Sequence, residues 1–350
     1  MSRNFNSDNV TPACAPIMAA LQAATEQPMP SYGADTLTAR LQAKASEIFG
    51  KEVTIFPVAT GTAANALALA QLVPPYGAVY CYEAAHIVTD ECGAPEFFSG
   101  GAKMIGLAAA DGKIQPEQFE RALAFATEMG VHHVKPAAVS LTQASECGTV
   151  YDLAQVAAIA AVAKRHGLGV HMDGARFANA LAHLGCSAAE ATWRCGVDVL
   201  SLGATKNGAL CAEAVVFFDP KLANDFARRR KQAGHLWSKM RFLSAQLLAY
   251  LSDDLWLTNA RQANAMATAL ARGLRDVKGV RLLQSVDANE LFVAMPEPLI
   301  AALEADGFQF YRWPYPGFSE AAVRLVTSYA TTAADVEAFS AAARRFPSCS

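Results

Sequence analysis

Residues 197–209 read "VDVLSLGATKNGA", an apolar run of strand length followed directly by a lysine among small and hydroxyl-bearing residues. A surface lysine normally has charged or polar neighbours, but between Ser201 and Ala209 no residue is charged enough to pair with Lys206 or bulky enough to fill a core. The apolar run before this lysine is one of several that alternate with helical patterns. That alternation decides the fold, and the unusual setting of Lys206 points to chemistry.

Strand-length apolar runs recur along the first two thirds of the chain, with helical patterns between them. Thr60-Gly-Thr opens one helical stretch, and Asp152 is placed to cap another that ends near Gly167. Apolar strands connected by helices indicate a mostly parallel sheet covered on both faces, in which ligands bind at the carboxyl ends of the strands. Besides 197–203, the predicted strands are 53–59, 78–83, 103–109, 136–142, 168–173 and 212–218.

The pattern changes after Asp219, where two long helical stretches are predicted at about 221–251 and 254–276. Short strands that are not regularly separated by helices follow, which is typical of an antiparallel α+β domain. We therefore predict an N-terminal segment with a large α/β domain (1–250), and a connecting helix with a small C-terminal α+β domain (251–350). The later predicted strands are 279–284, 290–296, 308–313 and 322–328, with helices at 297–306 and from Thr332.

Composition excludes several classes of protein. The 350 residues carry a net charge of −3 with no long block of one sign, so neither nucleic acid nor a membrane surface is an expected partner. No apolar run approaches the roughly 18 residues of a membrane span. The 8 cysteines form no CxxC and no zinc-type spacing with histidine. We therefore expect no metal site, free thiols, and a reducing compartment such as the cytoplasm.

Two residues at strand ends suggest a specific cofactor. Asp173 ends one predicted strand and Lys206 follows the next, so both belong to the carboxyl edge of the sheet. A neutral lysine amine condenses with a carbonyl group, and a carboxylate keeps a pyridine nitrogen protonated. Pyridoxal phosphate (PLP) requires this pairing of lysine and aspartate.

A phosphate cradle and a flat partner for the cofactor ring are also present in the sequence. Gly61 and Thr62 lie between a strand and a helix, where free backbone N–H groups face an anion. His86 follows the strand 78–83 and is placed to stack on the ring. Each feature alone is common, since a TGT turn is usually only a turn and a strand-end aspartate is usually a helix cap. Their order along the chain, with the anion-binding turn first and then His86, Asp173 and Lys206, supports a PLP site more strongly than any one of them.

Six segments carry a resemblance to the PLP-dependent L-threonine aldolases, which are fold-type-I enzymes of the aspartate-aminotransferase superfamily. The resemblance runs from Ser7 to Thr327, its most specific part is "HMDGARFANA" (171–180), and the low-specificity branch is the most similar. It implies a seven-stranded sheet in the large domain. The segments are "FNSDNVTP" (5–12), "SYGADTLTARLQ" (31–42), "ATGTAANALA" (59–68), "EAAHIVTDECGAP" (83–95), "HMDGARFANAL" (171–181) and "SLGATKNGA" (201–209).

The resemblance also implies roles for site residues. Lys206 would carry the cofactor, Asp173 would pair with its ring nitrogen, and His86 would stack on it. Gly61 and Thr62 would hold the phosphate. Further residues are implied as follows: Arg176 for the cofactor O3′ or the substrate carboxylate, Ser7 and Arg324 for that carboxylate, and Arg230 and Lys231 for the phosphate of a neighbouring subunit. A solvated helix face is the alternative interpretation of the last two.

This chain departs from the family where a base is needed. Many relatives have a histidine where Ser145 stands here, and often another where Ser328 stands. The group that takes the substrate hydroxyl proton is therefore His86, His133 or an ordered water. His133 precedes the strand 136–142, and its alternative role is only to terminate that segment.

The implied activity is retro-aldol cleavage of L-threonine, L-allo-threonine or a related β-hydroxy-α-amino acid to glycine and an aldehyde. A homodimer or homotetramer with shared active sites is implied as well. One alternative is another fold-type-I lyase, either β-eliminating or of the serine-hydroxymethyl type. Another is a non-catalytic α/β protein. A nucleotide-binding protein has no support, because neither GxGxxG nor GxxxxGK[ST] occurs.

Overall fold

The computed structural model describes residues 3–313 and 321–346, and its largest feature is a seven-stranded sheet. The strand order is β1-β7-β6-β5-β4-β2-β3, and β7 alone runs against the others. Every strand predicted before Asp219 is present, so the predicted mostly parallel sheet is confirmed. The strands are β1 Thr54–Val58, β2 Gly77–Tyr82, β3 Lys103–Leu107, β4 Lys135–Thr142, β5 Gly169–Gly174, β6 Val199–Gly203 and β7 Glu213–Phe217.

Helices connect the parallel strands and cover the sheet. Thr60 caps α3 by accepting the N–H of Ala63, and Asp152 forms a capping box with Gln155 at the start of α7, as the sequence predicts. Because β2, β6 and β7 are buried along their whole length, they are apolar rather than alternating. The helices before β7 are α1 Ala15–Ala23, α2 Thr36–Phe49, α3 Gly61–Leu72, α4 His86–Thr89, α5 Ala94–Ser99, α6 Pro116–Glu128, α7 Leu153–Arg165 and α8 Phe177–Leu184.

The single helix predicted over about 221–251 is wrong. A short 3-10 turn precedes two separate helices, α9 (Phe226–Gln232) and α10 (Arg241–Tyr250). The chain leaves helical geometry at Asp225 and at Gly234, whose φ angles are +62° and +79°. The second predicted helix is present as α11 (Leu255–Leu274).

The C-terminal part forms a small antiparallel sheet with its own core. The strand order is β10-β11-β9-β8, which confirms the predicted α+β arrangement. Helix α11 packs against both α8 and α13 and so connects the two parts of the molecule. The strands are β8 Arg281–Leu282, β9 Glu290–Ala294, β10 Tyr311–Arg312 and β11 Ala322–Val326, and the helices are α12 Glu297–Ala305 and α13 Ala333–Arg345.

The N-terminal segment packs on the small C-terminal sheet before it reaches the large one. Phe5 is buried in the C-terminal core, its N–H donates to Gln309 O at 2.7 Å, and its carbonyl accepts from Val326 N at 2.9 Å. The 3-10 turn that follows (Asp8–Val10) contacts the loop that carries Lys206. Ser7 and Asp8 therefore lie between the small C-terminal sheet and the loop that carries Lys206.

Candidate active site

Lys206 lies in a 3-10 turn directly after β6, at the carboxyl edge of the sheet. Buried Glu213 on the antiparallel neighbour β7 holds this turn, because its carboxylate accepts the N–H groups of Ala204 at 2.9 Å and Thr205 at 3.4 Å. Burial raises the pKa of Glu213 to about 7, and these hydrogen bonds and the charge of Lys206 oppose that rise. Among the described residues, no carboxylate lies within ion-pair distance of the Lys206 amine.

Asp173 lies on the neighbouring strand β5, in register with Ser201 of β6 and Thr142 of β4. Its Oδ1 accepts the N–H of Ala175 at 3.0 Å, and its Oδ2 accepts the Asn65 side-chain amide at 2.8 Å. The carboxylate is buried and fixed in orientation. Asp173 and Lys206 follow adjacent strands as the sequence predicts.

His86 begins α4, next to the end of β2. Its Nδ1 lies 2.8 Å from Oε1 of Glu91, and its backbone N–H donates to Glu146 at 3.0 Å. Glu146 also accepts the hydroxyl of Thr142, and burial raises the pKa of Glu146 to about 7. The charges of Asp173 and Lys206 both influence the pKa of His86, which places the three side chains near one another.

The turn before α3 forms an open anion cradle. The backbone N–H groups of Gly61 and Thr62 have no acceptor among the described residues, and a Cβ added at Gly61 would meet no atom within 4 Å. The N–H of Ala59, just before the turn, donates to Nδ1 of His235 at 3.2 Å. A helix N-terminus with free donors and open space in front of it suits a phosphate group.

Arg230 lies on α9 with its guanidinium buried in its own chain. Its Nη1 donates to Pro57 O at 3.3 Å, three residues before the phosphate turn begins at Thr60, and its Nε is buried with no partner in the described structure. Burial lowers its pKa to about 10. Lys231 is exposed, with its amine 5.0 Å from the centre of the Tyr32 ring. The two residues therefore face different surroundings.

Arg176 follows β5, but most of its donors are already occupied. Its Nε and Nη2 bind Asp8 at 2.8 and 3.0 Å, and its Nη1 lies 3.0 Å from Glu290. Burial lowers the pKa of Arg176, yet the charges of Asp8 and Glu290 raise it further, so the net direction is upward. Burial likewise raises the pKa of Asp8, but the charges of Arg176 and Lys206 bring it below its usual value. Arg176 is thus held rigidly.

In the described structure Arg324 on β11 has a longer ion-pair contact than Arg176, with its Nη1 3.9 Å from Oε1 of Glu290. Its guanidinium lies over Trp313 and Tyr311, at 4.7 and 5.1 Å from the ring centres, and donates to Asn6 O at 3.2 Å. Its Nε is buried with no partner in the described residues. Ser7, adjacent to that backbone contact, accepts the N–H of Asn9 at 3.1 Å. Arg324 is therefore the better placed of the two arginines for an additional carboxylate.

His133 does not lie in this site. It precedes β4 at the amino edge of the sheet, where its ring packs edge-on against Phe125 with 5.7 Å between centres. The two ends of this strand lie about 25 Å apart at the usual rise of roughly 3.3 Å per residue. His133, one of the three candidates for the base, therefore lies away from the site in this chain. Ser145 is fully buried and bonded to Thr149, so it offers no substitute.

Comparison with known proteins agrees with this geometry. A model of the beta-eliminating lyase family matches residues 4–298. The low specificity L-threonine aldolase of Pseudomonas aeruginosa is 46% identical over 94% of both chains, and that of Pseudomonas sp. is 46% identical over 89% of both. The chain belongs to the beta-eliminating lyase family. Threonine aldolase from Leishmania major has the same fold, with a TM-score of 0.92, 28% identity and 98% of both chains covered.

The lyase has the PLP fold type I, and the cofactor of this family is PLP. The described residues fit that group. Lys206 has no carboxylate partner, the turn at Gly61 and Thr62 is open, and Arg230 is a buried cation without a carboxylate within ion-pair distance among the described residues. An anionic phosphate at the turn would supply the negative charge that Arg230 lacks.

Several charged residues of the lyase's site, and one buried amide, were missed by sequence reasoning. Glu213 and Glu290 lie in strands, and the sequence pattern did not indicate a role for either. Their contacts depend on which strand lies next to them in the sheet. Of the other four, three lie inside segments that carry the resemblance, and Glu146 follows Ser145. They are Asp8, Asn65, Glu91 and Glu146. A polar residue within an otherwise buried helix, such as Asn65 among alanines and leucines, was the one available signal.

Proposed function

We propose that this chain is a PLP-dependent aldehyde-lyase that cleaves L-threonine, L-allo-threonine and related β-hydroxy-α-amino acids to glycine and an aldehyde. The observation that carries the proposal is Lys206 beside Asp173 on adjacent strand ends, in a chain 46% identical to a low specificity L-threonine aldolase. His86 and the open turn at Gly61 and Thr62 complete the same edge. The free thiols of the described residues support a reducing compartment, and we place the lyase in the cytoplasm.

In the proposed mechanism the chain binds, orients and moves protons. Bound PLP supplies an electron sink for the pair released when the Cα–Cβ bond breaks. Asp173 holds the ring nitrogen protonated, and Arg324 and Ser7 hold the substrate carboxylate. His86, whose side chain is partly exposed, accepts the β-hydroxyl proton. Arg176, clamped by two carboxylates, supplies a fixed positive charge rather than a mobile one.

The decisive experiment is to purify the protein and supply L-threonine without folate. A yellow protein that produces acetaldehyde and glycine in equal amounts supports the proposal. Ammonia with a 2-oxo acid would instead indicate a β-eliminating lyase. A requirement for folate would indicate a hydroxymethyl-transferring enzyme, and a colourless, inactive protein would indicate a non-catalytic one.

Replacement of His133 by asparagine is expected to leave turnover of L-threonine and its pH dependence unchanged. The ring lies at the amino edge of the sheet against Phe125 and contacts no residue of the site. Steady-state assays across the pH range test this, with His86→Asn as the matched variant that should lose turnover. A folded His133→Asn protein with a tenfold loss of kcat would contradict this placement of the base.

We expect the active form to be at least a homodimer, either a dimer or a tetramer. The resemblance implies that Arg230 and Lys231 approach the phosphate of a neighbouring subunit; here Arg230 is buried beside the turn of its own chain, so exposed Lys231 is the one available for such a contact, and dimers are the commonest assembly. Sedimentation at the concentrations used for assay measures the assembly and the activity together. A monomer with full activity would rule out shared active sites.

A further inference from the structure

The two ring nitrogens of His86 have different surroundings. Nδ1 lies 2.8 Å from Oε1 of Glu91, whose side chain is 0% exposed, whereas the His86 side chain is 43% exposed. The exposed part of the ring therefore does not face Glu91. A buried carboxylate accepts a hydrogen bond from Nδ1–H, and the neutral ring then carries its lone pair on Nε2.

Glu91 is itself held by a second contact that leads to Asp173. The side-chain amide of Asn65 donates to Oε1 of Glu91 at 2.8 Å and to Oδ2 of Asp173 at 2.8 Å. Asn65 lies on α3, one helical turn after Gly61, and is 3% exposed. One buried amide thus fixes both carboxylates, and Glu91 cannot rotate away from the imidazole without breaking that bond.

We propose that Glu91 is a positioning residue that acts through His86, holding the proton on Nδ1 so that Nε2 accepts the substrate's β-hydroxyl proton. The inference rests on the proposed function and extends it. Many relatives have a histidine where this chain has Ser145, and here the pair of Glu91 and His86 would take over the role of that histidine. In other enzymes, such as those with a Ser-His-Asp triad, a buried carboxylate likewise orients the catalytic histidine.

The proton transfer balances as follows. The β-hydroxyl proton passes to Nε2, the O–H bonding pair becomes the second bond of the aldehyde carbonyl, and the Cα–Cβ bond breaks. Its electron pair remains with the glycine fragment and the bound cofactor. The imidazolium then gives its proton back, directly or through solvent, and one proton adds to Cα, so the ring is neutral again and no proton is gained or lost overall. The carboxylate of Glu91 stabilises the imidazolium while it exists.

The charges around His86 agree with this assignment. The hydrogen bond to Glu91 is the largest influence and raises the pKa of the imidazole, and the charges of Asp173 and Glu91 raise it as well. Burial and the charge of Lys206 lower it, and the net direction is upward. Glu146 contacts the backbone N–H of His86 rather than its ring, and so serves as a comparison.

The first experiment uses NMR of histidine-labelled, cofactor-free protein, with the His86 signal assigned by His86→Asn. The neutral wild-type ring is expected to carry its proton on Nδ1 and to have a pKa above the ordinary 6.5. Glu91→Gln should lower that pKa by about one unit or more, while Glu146→Gln should leave it unchanged. A wild-type proton on Nε2, a wild-type pKa at or below the ordinary value, or equal shifts in the two variants would overturn the proposal.

The second experiment measures kcat/KM for L-threonine against pH, since this profile reports the free enzyme's essential base. Because His86 must be neutral to accept a proton, a lower pKa moves the acidic limb of the Glu91→Gln profile to lower pH. The maximal kcat should fall about tenfold or more, within the roughly 10²–10⁴-fold that a general base contributes. A kcat loss with an unmoved limb would mean a purely structural role for Glu91.

The two proposals fail in different ways. If the wild-type protein releases no aldehyde from L-threonine, the proposed function is wrong, and the NMR titration still decides whether Glu91 controls the His86 ring. If aldehyde release is normal and Glu91→Gln leaves both the titration and the profile unchanged, only the positioning role is wrong. Should Glu91→Gln not fold, the wild-type tautomer and pKa remain a complete test.

Discussion

Lys206→Ala is expected to reduce L-threonine cleavage to background while leaving the fold intact. The lysine lies at the carboxyl edge of β6 with no carboxylate partner in the described structure, and its turn is held by Glu213 through backbone N–H groups that an alanine keeps. Without the amine, the cofactor is held only by non-covalent contacts. Assays of aldehyde release and the absorbance of bound cofactor measure both effects.

The assignment is tested independently by reducing the wild-type holoenzyme with borohydride and mapping its peptides. The pyridoxyl group should be found on the peptide that contains Lys206. Lys164→Ala is the matched control, because Lys164 is a surface residue paired with Asp198 at the other end of β6 and should keep full activity. A pyridoxyl group on any other lysine would refute the role of Lys206.

Asp173→Asn is expected to lower kcat by orders of magnitude while much of the cofactor affinity remains. An amide cannot hold the ring nitrogen protonated, so the electron sink is lost although the shape is kept. One of the two hydrogen bonds that Asp173 accepts, from Ala175 or from Asn65, must also weaken, so a modest loss of stability is expected. Turnover, cofactor titration and thermal unfolding separate these effects.

An isosteric control is Asp225→Asn, an exposed carboxylate that pairs with Arg228 on the surface, which should change neither turnover nor affinity. For Asp173→Asn, a loss of less than about tenfold, or roughly 1.4 kcal/mol of activation free energy, would show that Asp173 does not maintain the electron sink.

Local patterns were sufficient for the strands and for the main site residues. Apolar runs of strand length predicted every strand of the large sheet, because strands that are covered on both faces consist mostly of apolar residues. Asp173 and Lys206 follow two such runs, and parallel strands bring their carboxyl ends to one edge. Their proximity therefore followed from sequence position alone. None of the helices in the described residues is long and apolar enough to cross a membrane.

Position along a strand also explains the main error. His133 lies just before β4 and Ser145 lies just after it, and proximity in sequence to Ser145 was taken as proximity in space. Since β4 is extended, its two ends lie at opposite edges of the sheet, and the site lies at the carboxyl edge, away from His133. The broken helix over 221–251 has a similar origin, because a left-handed residue such as Asp225 carries no periodic signal.

The sequence by itself determined the sheet, the edge at which the site lies, and the lysine and aspartate on it, because these depend on local hydrophobicity and on chain direction. Only the tertiary structure decided which charges meet. Arg176 binds Asp8 from the N-terminal segment and Glu290 from the small sheet, and Glu91 reaches Asp173 through Asn65. These contacts join residues far apart in the chain. The strength of these contacts depends on burial and on distances of about 3 Å. Tertiary packing determines both, and neither can be derived from the spacing of residues in the sequence.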